Sequence, residues 1–288
     1  MFRFITVILA AAFLTSGTAY ADDVRSGRFV FSDWSGPPLT IHFVEPAADA
    51  MADAPVVIVM HGVDRNADDY AANWRGLVRE HGFRVYAPEF SDADFPGAAM
   101  YNLGGIGTDG PHAYSAIEPL FTAISERGGD AGGYYLFSHS AGAQFVHRAV
   151  LFEDLPRLIT AYSANAGWYT LPDADTAWPY GLNGVPVDEA AVGRWLGRPM
   201  VVLLGDQDTD PRDRNLRRTA EAMVQGEHRY ARGAYFMRTA RDRASELGVP
   251  FVWTAYNVPG VAHDNAGMAQ AAALLIALDA EAADGEAQ

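Results

Sequence analysis

YYLFSHSAGAQFVHRAV, residues 134–150, decides the fold. A short aromatic and aliphatic run, 134–137, meets a five-residue turn, Ser138-His139-Ser140-Ala141-Gly142, and apolar residues then recur at helical spacing to residue 152. A strand, a sharp turn and a helix is the context in which a G-x-S-x-G pattern carries a mechanism. Only small side chains fit two positions either side of the serine, whose hydroxyl is then held out above the sheet. The start of the following helix offers a free N–H and a partial positive charge to a developing oxyanion. Ser138 stands where the pattern has its first glycine, and serine is small enough for the turn. The pentapeptide alone equally fits a serine-rich turn without chemistry, so the reading depends on partners elsewhere in the chain.

Outward from this segment, short β-branched and aromatic runs fall at 29–31, 39–44, 55–60, 83–87, 158–162, 200–204 and 251–256. They alternate with helical patterns at 66–80, 114–127, 141–152, 213–225, 229–247 and 265–279. That alternation predicts an α/β fold, a mostly parallel sheet covered by helices on both faces. Gly36-Pro37-Pro38 between the first two runs predicts an antiparallel hairpin. Asn66 is the expected N-cap of the first crossover helix and Gly82 its stop. Segments 91–113 and 165–198 have no regular period, and long irregular loops in a compact domain are usually functional. One domain is expected over 22–288, with 165–198 as a candidate cap or loop insertion and 281–288 fraying.

The 36 acidic residues outnumber 21 basic ones, all arginine, for a formal charge of -15, which would repel a nucleic-acid backbone. With no cysteine, disulfides, thiolate metal sites and a cysteine nucleophile are excluded. Residues 1–21 have the layout of an export leader: Arg3, an apolar run over 4–14, then Ala19-Tyr20-Ala21 before Asp22. Cleavage there would leave 267 residues and a charge of -16. The expected location is periplasmic or secreted, without stable membrane insertion after processing, since no later segment reads as apolar enough to span a bilayer.

The partners sought by the serine turn lie after two later strands. Gly205-Asp206-Gln207-Asp208-Thr209-Asp210-Pro211 follows the run at 200–204, and Gly260-Val261-Ala262-His263 follows the run at 251–256. Strand C-termini share one edge of a parallel sheet, so residues distant in sequence converge there. The chain order serine, aspartate, histidine is that of the α/β-hydrolases, which this sequence resembles over most of its length. Within them it is most similar to secreted bacterial esterases of the polyhydroxyalkanoate depolymerase and feruloyl esterase type. The resemblance implies an α/β-hydrolase fold with Ser140 as nucleophile, His263 as general base and Asp208 as acid, three residues beyond Gly205. Asp206 and Asp210 are the alternatives for the acid. The same resemblance makes the backbone N–H groups of Val63 and Ala141 the oxyanion donors.

Trp168, Tyr169 and Tyr101 are the candidate substrate-binding residues, because the irregular segments carrying them would line the cleft. Their density, with the acidic balance, suggests a neutral ester with an apolar or aromatic portion, small or polymeric. His139 reads as a packing residue. His61, His112 and His147 show no metal-ligand spacing, and Gly105-Ile106-Gly107 lacks the strand and helix of a dinucleotide site, so no metal or cofactor is expected. A serine peptidase and a noncatalytic binding protein on the same fold are the alternatives to a serine esterase.

Overall fold

VVIVM forms the strand β3 (Val56–Met60), buried along its whole length. Val56, Ile58 and Met60 pack into one apolar layer, and Val57 and Val59 into the other. A strand covered on both faces needs such a continuous apolar run. The computed structural model describes residues 24–51, 54–129 and 131–286; the expected leader at 1–21 lies outside them. The other strands are β1 (Arg25–Phe31), β2 (Leu39–Glu45), β4 (Arg84–Glu89), β5 (Tyr134–His139), β6 (Leu158–Ala164), β7 (Met200–Gly205) and β8 (Thr254–Val258). They form one eight-stranded sheet in the order β1-β2-β4-β3-β5-β6-β7-β8. β1 pairs antiparallel with β2, and β2 antiparallel with β4. Every other neighbouring pair is parallel.

Helices cover both faces. α1 (Ala67–Asn73), α2 (Arg75–His81) and α9 (Asn265–Glu286) pack on the layer that holds Val57 and Val59. α4 (Ile117–Gly128), α5 (Ala141–Phe152), α6 (Glu189–Leu196) and α8 (Arg229–Leu247) pack on the other. Two short helices, α3 (Gly97–Met100) and α7 (Ala220–Gln225), lie in connecting segments.

The structure departs from the expected elements where local chemistry competes with period. The helix expected over 66–80 breaks at Trp74, whose ring is buried edge-on against Phe83 and Phe137 while its N–H shares the carbonyls of Ala71 and Ala72. Asn66 does not cap α1 with its side chain; its amide donates to Asp69 Oδ2 at 2.9 Å. Of the helix expected over 213–225 only α7 forms. Upstream, Asp210 and Asp213 accept the backbone N–H groups of Arg212 and Asn215 at 2.8 Å each, closing Asx turns. Segment 165–198 carries only α6, whose first turn is capped by Asp188. Helical geometry continues past residue 281, where fraying was expected, to Glu286. Contrary to the expectation of no further membrane-length apolar segment, Asn265–Ala283 reaches a mean hydropathy of 1.3. The stretch is rich in alanine, and it seats Met268, Ala269, Ala272, Ala273 and Ile276 in the core beside the sheet.

From β3 the chain crosses one way to β4 and later returns to β5 on the opposite side. The crevice above the C-terminal ends of β3 and β5 is therefore a topological switch point, the place where open α/β sheets bind ligands.

Candidate active site

Ser140 sits between β5 and α5 with φ 58° and ψ −117°, backbone angles that a side chain rarely adopts. The turn is forced by close packing of α5 onto the end of β3. A methyl group on Gly142 would lie 2.4 Å from the Met60 carbonyl oxygen and 2.6 Å from that of His61. Ser138, in the place of the pattern's first glycine, is fully buried and donates its hydroxyl to the Tyr162 carbonyl at 2.8 Å. The substitution thus adds a bond between β5 and β6 without filling the turn.

His263, after β8, places Nε2 3.0 Å from Ser140 Oγ, while its Nδ1 lies 2.8 Å from Asp208 Oδ2. Of the three candidate aspartates after β7, Asp208 is the one that meets the histidine. Asp206 Oδ1 accepts the Gly260 N–H at 2.8 Å, and Asp210 accepts a backbone N–H of its own loop. The two loops are sewn together by Gln207 N–H to the Val261 carbonyl at 3.0 Å and by Asn165. The Asn165 amide accepts from Gly205 N–H and donates to the Ala262 carbonyl, 2.9 Å each, from a backbone at φ 46°.

Arg229, at the start of α8, is buried with Asp208. Its Nη1 lies 3.2 Å from Asp208 Oδ1, and its Nη2 donates to Asp213 Oδ1 at 2.8 Å. Asp208 is thus held on one oxygen by the imidazole and on the other by a guanidinium, which fixes its rotamer. Asn165 and Arg229 carry no local sequence signal, since each acts on residues dozens of positions away.

Val63 and Ala141 both line the cavity at Ser140. Among the described residues neither N–H has an acceptor, as the first residue of a helix and the exit of a strand allow. The His61-Gly62 turn that presents Val63 is braced. His61 Nδ1 donates to the Gly62 carbonyl at 2.9 Å and its Nε2 accepts Phe90 N–H at 3.1 Å. Burial pulls the imidazole down to about 3, so it stays neutral in this tautomer. Tyr101 stacks on that ring with centroids 4.5 Å apart and donates its hydroxyl to the His61 carbonyl at 2.7 Å.

His139 is a buried neighbour of the serine, as expected. Its Nδ1 pairs with the Tyr70 hydroxyl at 3.2 Å and its ring lies 4.5 Å from that of His263. Burial, then the nearby His263, holds its pKa well below the ordinary histidine value.

The cavity has a volume of about 400 Å³. Trp168 and Tyr101 line it, though both are largely buried and Tyr101 chiefly braces the His61 turn. Tyr169 does not line it. The expectation that Tyr169 binds substrate is corrected: its ring stacks on Phe236 at 4.4 Å in the core beneath the sheet, because Trp168 and Tyr169 point to opposite sides of the segment. Polar side chains of the lining include Arg65, Asp92, Asn102, Gln144, Arg217 and Arg229, beside Gly97, Ala98 and Gly167.

A strained serine turn at the switch point, with a histidine and an aspartate in hydrogen-bond sequence, defines a hydrolase of the α/β-hydrolase class. Known structures agree. Poly(aspartic acid) hydrolase-1 from Sphingomonas sp. KT-1 superposes with a TM-score of 0.83 at 40% identity, over 87% of this chain and 97% of that one. The poly(3-hydroxybutyrate) depolymerase LpqC from Bordetella parapertussis gives 0.82 at 36% identity, over 87% and 89%. An S-formylglutathione hydrolase from Agrobacterium tumefaciens, 16% identical with a TM-score of 0.60 over 93% and 98%, shares the fold. No protein-family model and no curated protein matches the sequence. The chain belongs to the α/β-hydrolase family that contains the poly(aspartic acid) hydrolase and LpqC.

Proposed function

We propose that the protein is a serine hydrolase cleaving a carboxylic ester through an acyl-enzyme on Ser140. The observation that carries this reading is the continuous path from Ser140 Oγ through His263 to Asp208, at 3.0 and 2.8 Å, ending on a serine held in a strained turn. His263 Nε2 takes the Ser140 proton as Oγ attacks the carbonyl carbon, and Asp208 stabilises the imidazolium that forms. The N–H groups of Val63 and Ala141 receive the oxyanion. Collapse expels the alkoxide, which takes the proton from His263. Water then repeats the sequence on the acyl-enzyme and frees Ser140.

The relatives are named for polymeric substrates, poly(aspartic acid) and poly(3-hydroxybutyrate), and a polymer is the form of substrate we propose here. Residues 1–21 serve as an export leader in this reading, placing the enzyme outside the cytoplasm where a polymer is met. Recovered from periplasm or medium, the protein should begin at or within a few residues of Asp22.

Purified protein is tested on alkyl and aryl esters, both polymers and peptide amides, with a fluorophosphonate to label the nucleophile. Ester turnover and a single adduct on Ser140 are expected, both lost in Ser140→Ala and in His263→Ala. Folded Ser140→Ala that keeps most of the activity overturns the mechanism; turnover of amides alone replaces the ester reading with the peptidase one.

A further inference from the structure

Two amide side chains in the cavity bond each other and leave half of their hydrogen-bonding capacity over. Asn102 and Gln144 are each more than nine-tenths buried, and both line the cavity at Ser140. Asn102 Nδ2 donates to Gln144 Oε1 at 2.7 Å. Among the described residues Gln144 Nε2 has no acceptor and Asn102 Oδ1 no donor, and both atoms keep exposed surface, which faces the cavity the two residues line. Two carboxamides that share one hydrogen bond leave one NH2 and one carbonyl oxygen over, whichever way the two amides are turned. A largely buried NH2 without a partner is costly, and such groups in folded proteins are nearly always answered by protein, water or ligand.

The pair is held from behind. Arg148 Nη1 donates to the backbone carbonyls of Asn102 and Gln144, 2.9 Å each, and the Tyr114 hydroxyl donates to the Asn102 carbonyl at 3.0 Å. Arg148 and Tyr114 are themselves fully buried, and Arg148 Nε is fixed on Thr170 Oγ1 at 2.8 Å. Gln144 stands one turn after Ser140 on α5, its N–H bonded to the Ser140 carbonyl at 3.2 Å. Side chains lean toward the start of their helix, which carries this carboxamide back toward the serine. In front lies Gly167, whose backbone is outside the left-handed region, so its conformation does not call for glycine. A methyl group there would stand 2.7 Å from Gln144 Nε2. The missing side chain leaves the approach to the amide nitrogen open.

We propose that the Asn102–Gln144 pair is a specificity subsite whose free NH2 donates to a second carbonyl oxygen of the substrate, the one in the unit next to the scissile bond. This rests on the serine-hydrolase reading above. Units joined by ester or amide bonds carry one carbonyl each, so the linkage beside the one being cut presents an acceptor at a fixed spacing. A simple alkyl ester lacks it, leaves the NH2 unanswered and loses the orientation that a second contact gives. The pair thus lets the site tell a chain from a single ester without any charge on the substrate, and Arg148 is its positioning residue.

The test compares kcat/KM, followed by release of the phenol, for two matched pairs that differ only by a carbonyl oxygen, each corrected for its alkaline hydrolysis rate. One is phenyl 3-acetoxybutanoate against phenyl 3-ethoxybutanoate, with the second carbonyl on the acyl side; the other is 4-acetylphenyl acetate against 4-ethylphenyl acetate, with it on the leaving group. At least one pair should favour the carbonyl compound about tenfold, the effect of one hydrogen bond to a buried donor. Gln144→Glu and Asn102→Asp each draw the remaining NH2 onto the new carboxylate and leave only oxygens facing the cavity, so either should bring that ratio to one or below. General damage to the site would slow both members of a pair alike and leave the ratio standing. Ratios near one in both pairs for the parent, or a preference that survives in either folded variant, overturn the proposal. Fluorophosphonate labelling of Ser140 in the same preparations separates this outcome from failure of the serine mechanism, which would abolish labelling and leave hydrolysis intact in Ser140→Ala.

Discussion

Gly142→Ala should disable the enzyme without touching a reacting group. The added carbon would lie 2.4 Å from the Met60 carbonyl oxygen and 2.6 Å from that of His61, both backbone atoms that no side-chain rotation can clear. Ordinary contact requires the start of α5 to move away from the end of β3 by about 1 Å. Those two elements carry Ala141 and Val63, so the motion spreads the two N–H groups meant for the oxyanion. A misplacement of this size costs about 10²-fold in rate, and outright loss of one oxyanion donor about 10² to 10³. Overpacking should lower stability by about 1–3 kcal/mol, a fall of roughly 2–12 °C in Tm. The assay is kcat on an activated ester, normalised by active-site titration, with circular dichroism and Tm on the same samples. Gly76→Ala is the control, since nothing lies within 4 Å of its added carbon, and it should keep full activity. Folded Gly142→Ala with kcat within threefold of the parent would refute the account of how the turn is built.

Asp208→Asn should cost on the order of 10⁴ in kcat, Asp206→Asn less because its carboxylate only anchors Gly260, and Asp210→Asn almost nothing; kinetics ranking Asp206 first would move the acid role. Arg229→Met strips the guanidinium from a buried carboxylate and should cost about 3–5 kcal/mol of stability, as well as lowering kcat. A Tm within 2 °C of the parent would show that the pair contributes little. Burial lowers the pKa of His61 to about 3, and those of His139 and His147 well below the ordinary value. The unfolded chain therefore binds more protons than the folded one below about pH 6.5, and the stability these residues contribute is present above that pH and lost as it falls toward 3. His61 alone accounts for roughly 4–5 kcal/mol across that window. Calorimetry at pH 5 in buffers of different ionisation enthalpy should find protons taken up on unfolding, about one of them from His61, and an absence of uptake would contradict its burial as a neutral imidazole.

Much of the site could be read in advance because its members announce themselves locally. Ser140 needs small neighbours within two residues, while Asp208 and His263 each follow an apolar strand run, and all of that is visible in a short window. Asn102, Gln144 and Arg229 could not be recognised this way. Each looks like an ordinary polar residue on a helix or in a loop, and its meaning depends on which partners the fold brings near. Trp168 and Tyr169 show the same limit over two residues, since an irregular segment has no period to say which ring faces the cavity. The helix expected over 213–225 shortens to Ala220–Gln225, and the side chains of Asp210 and Asp213 close Asx turns in the stretch before it.

The strained backbone at Ser140 sets robustness and turnover against each other at one position. Glycine adopts φ 58° without the penalty a side chain incurs. Strain of this kind is typically about 1–3 kcal/mol, so Ser140→Gly should melt higher than the parent while losing its nucleophile. A directed-evolution campaign that scores only heat resistance would reward this substitution and deliver a durable, inert protein. Any selection for a tougher version of this enzyme therefore has to read out hydrolysis in every round.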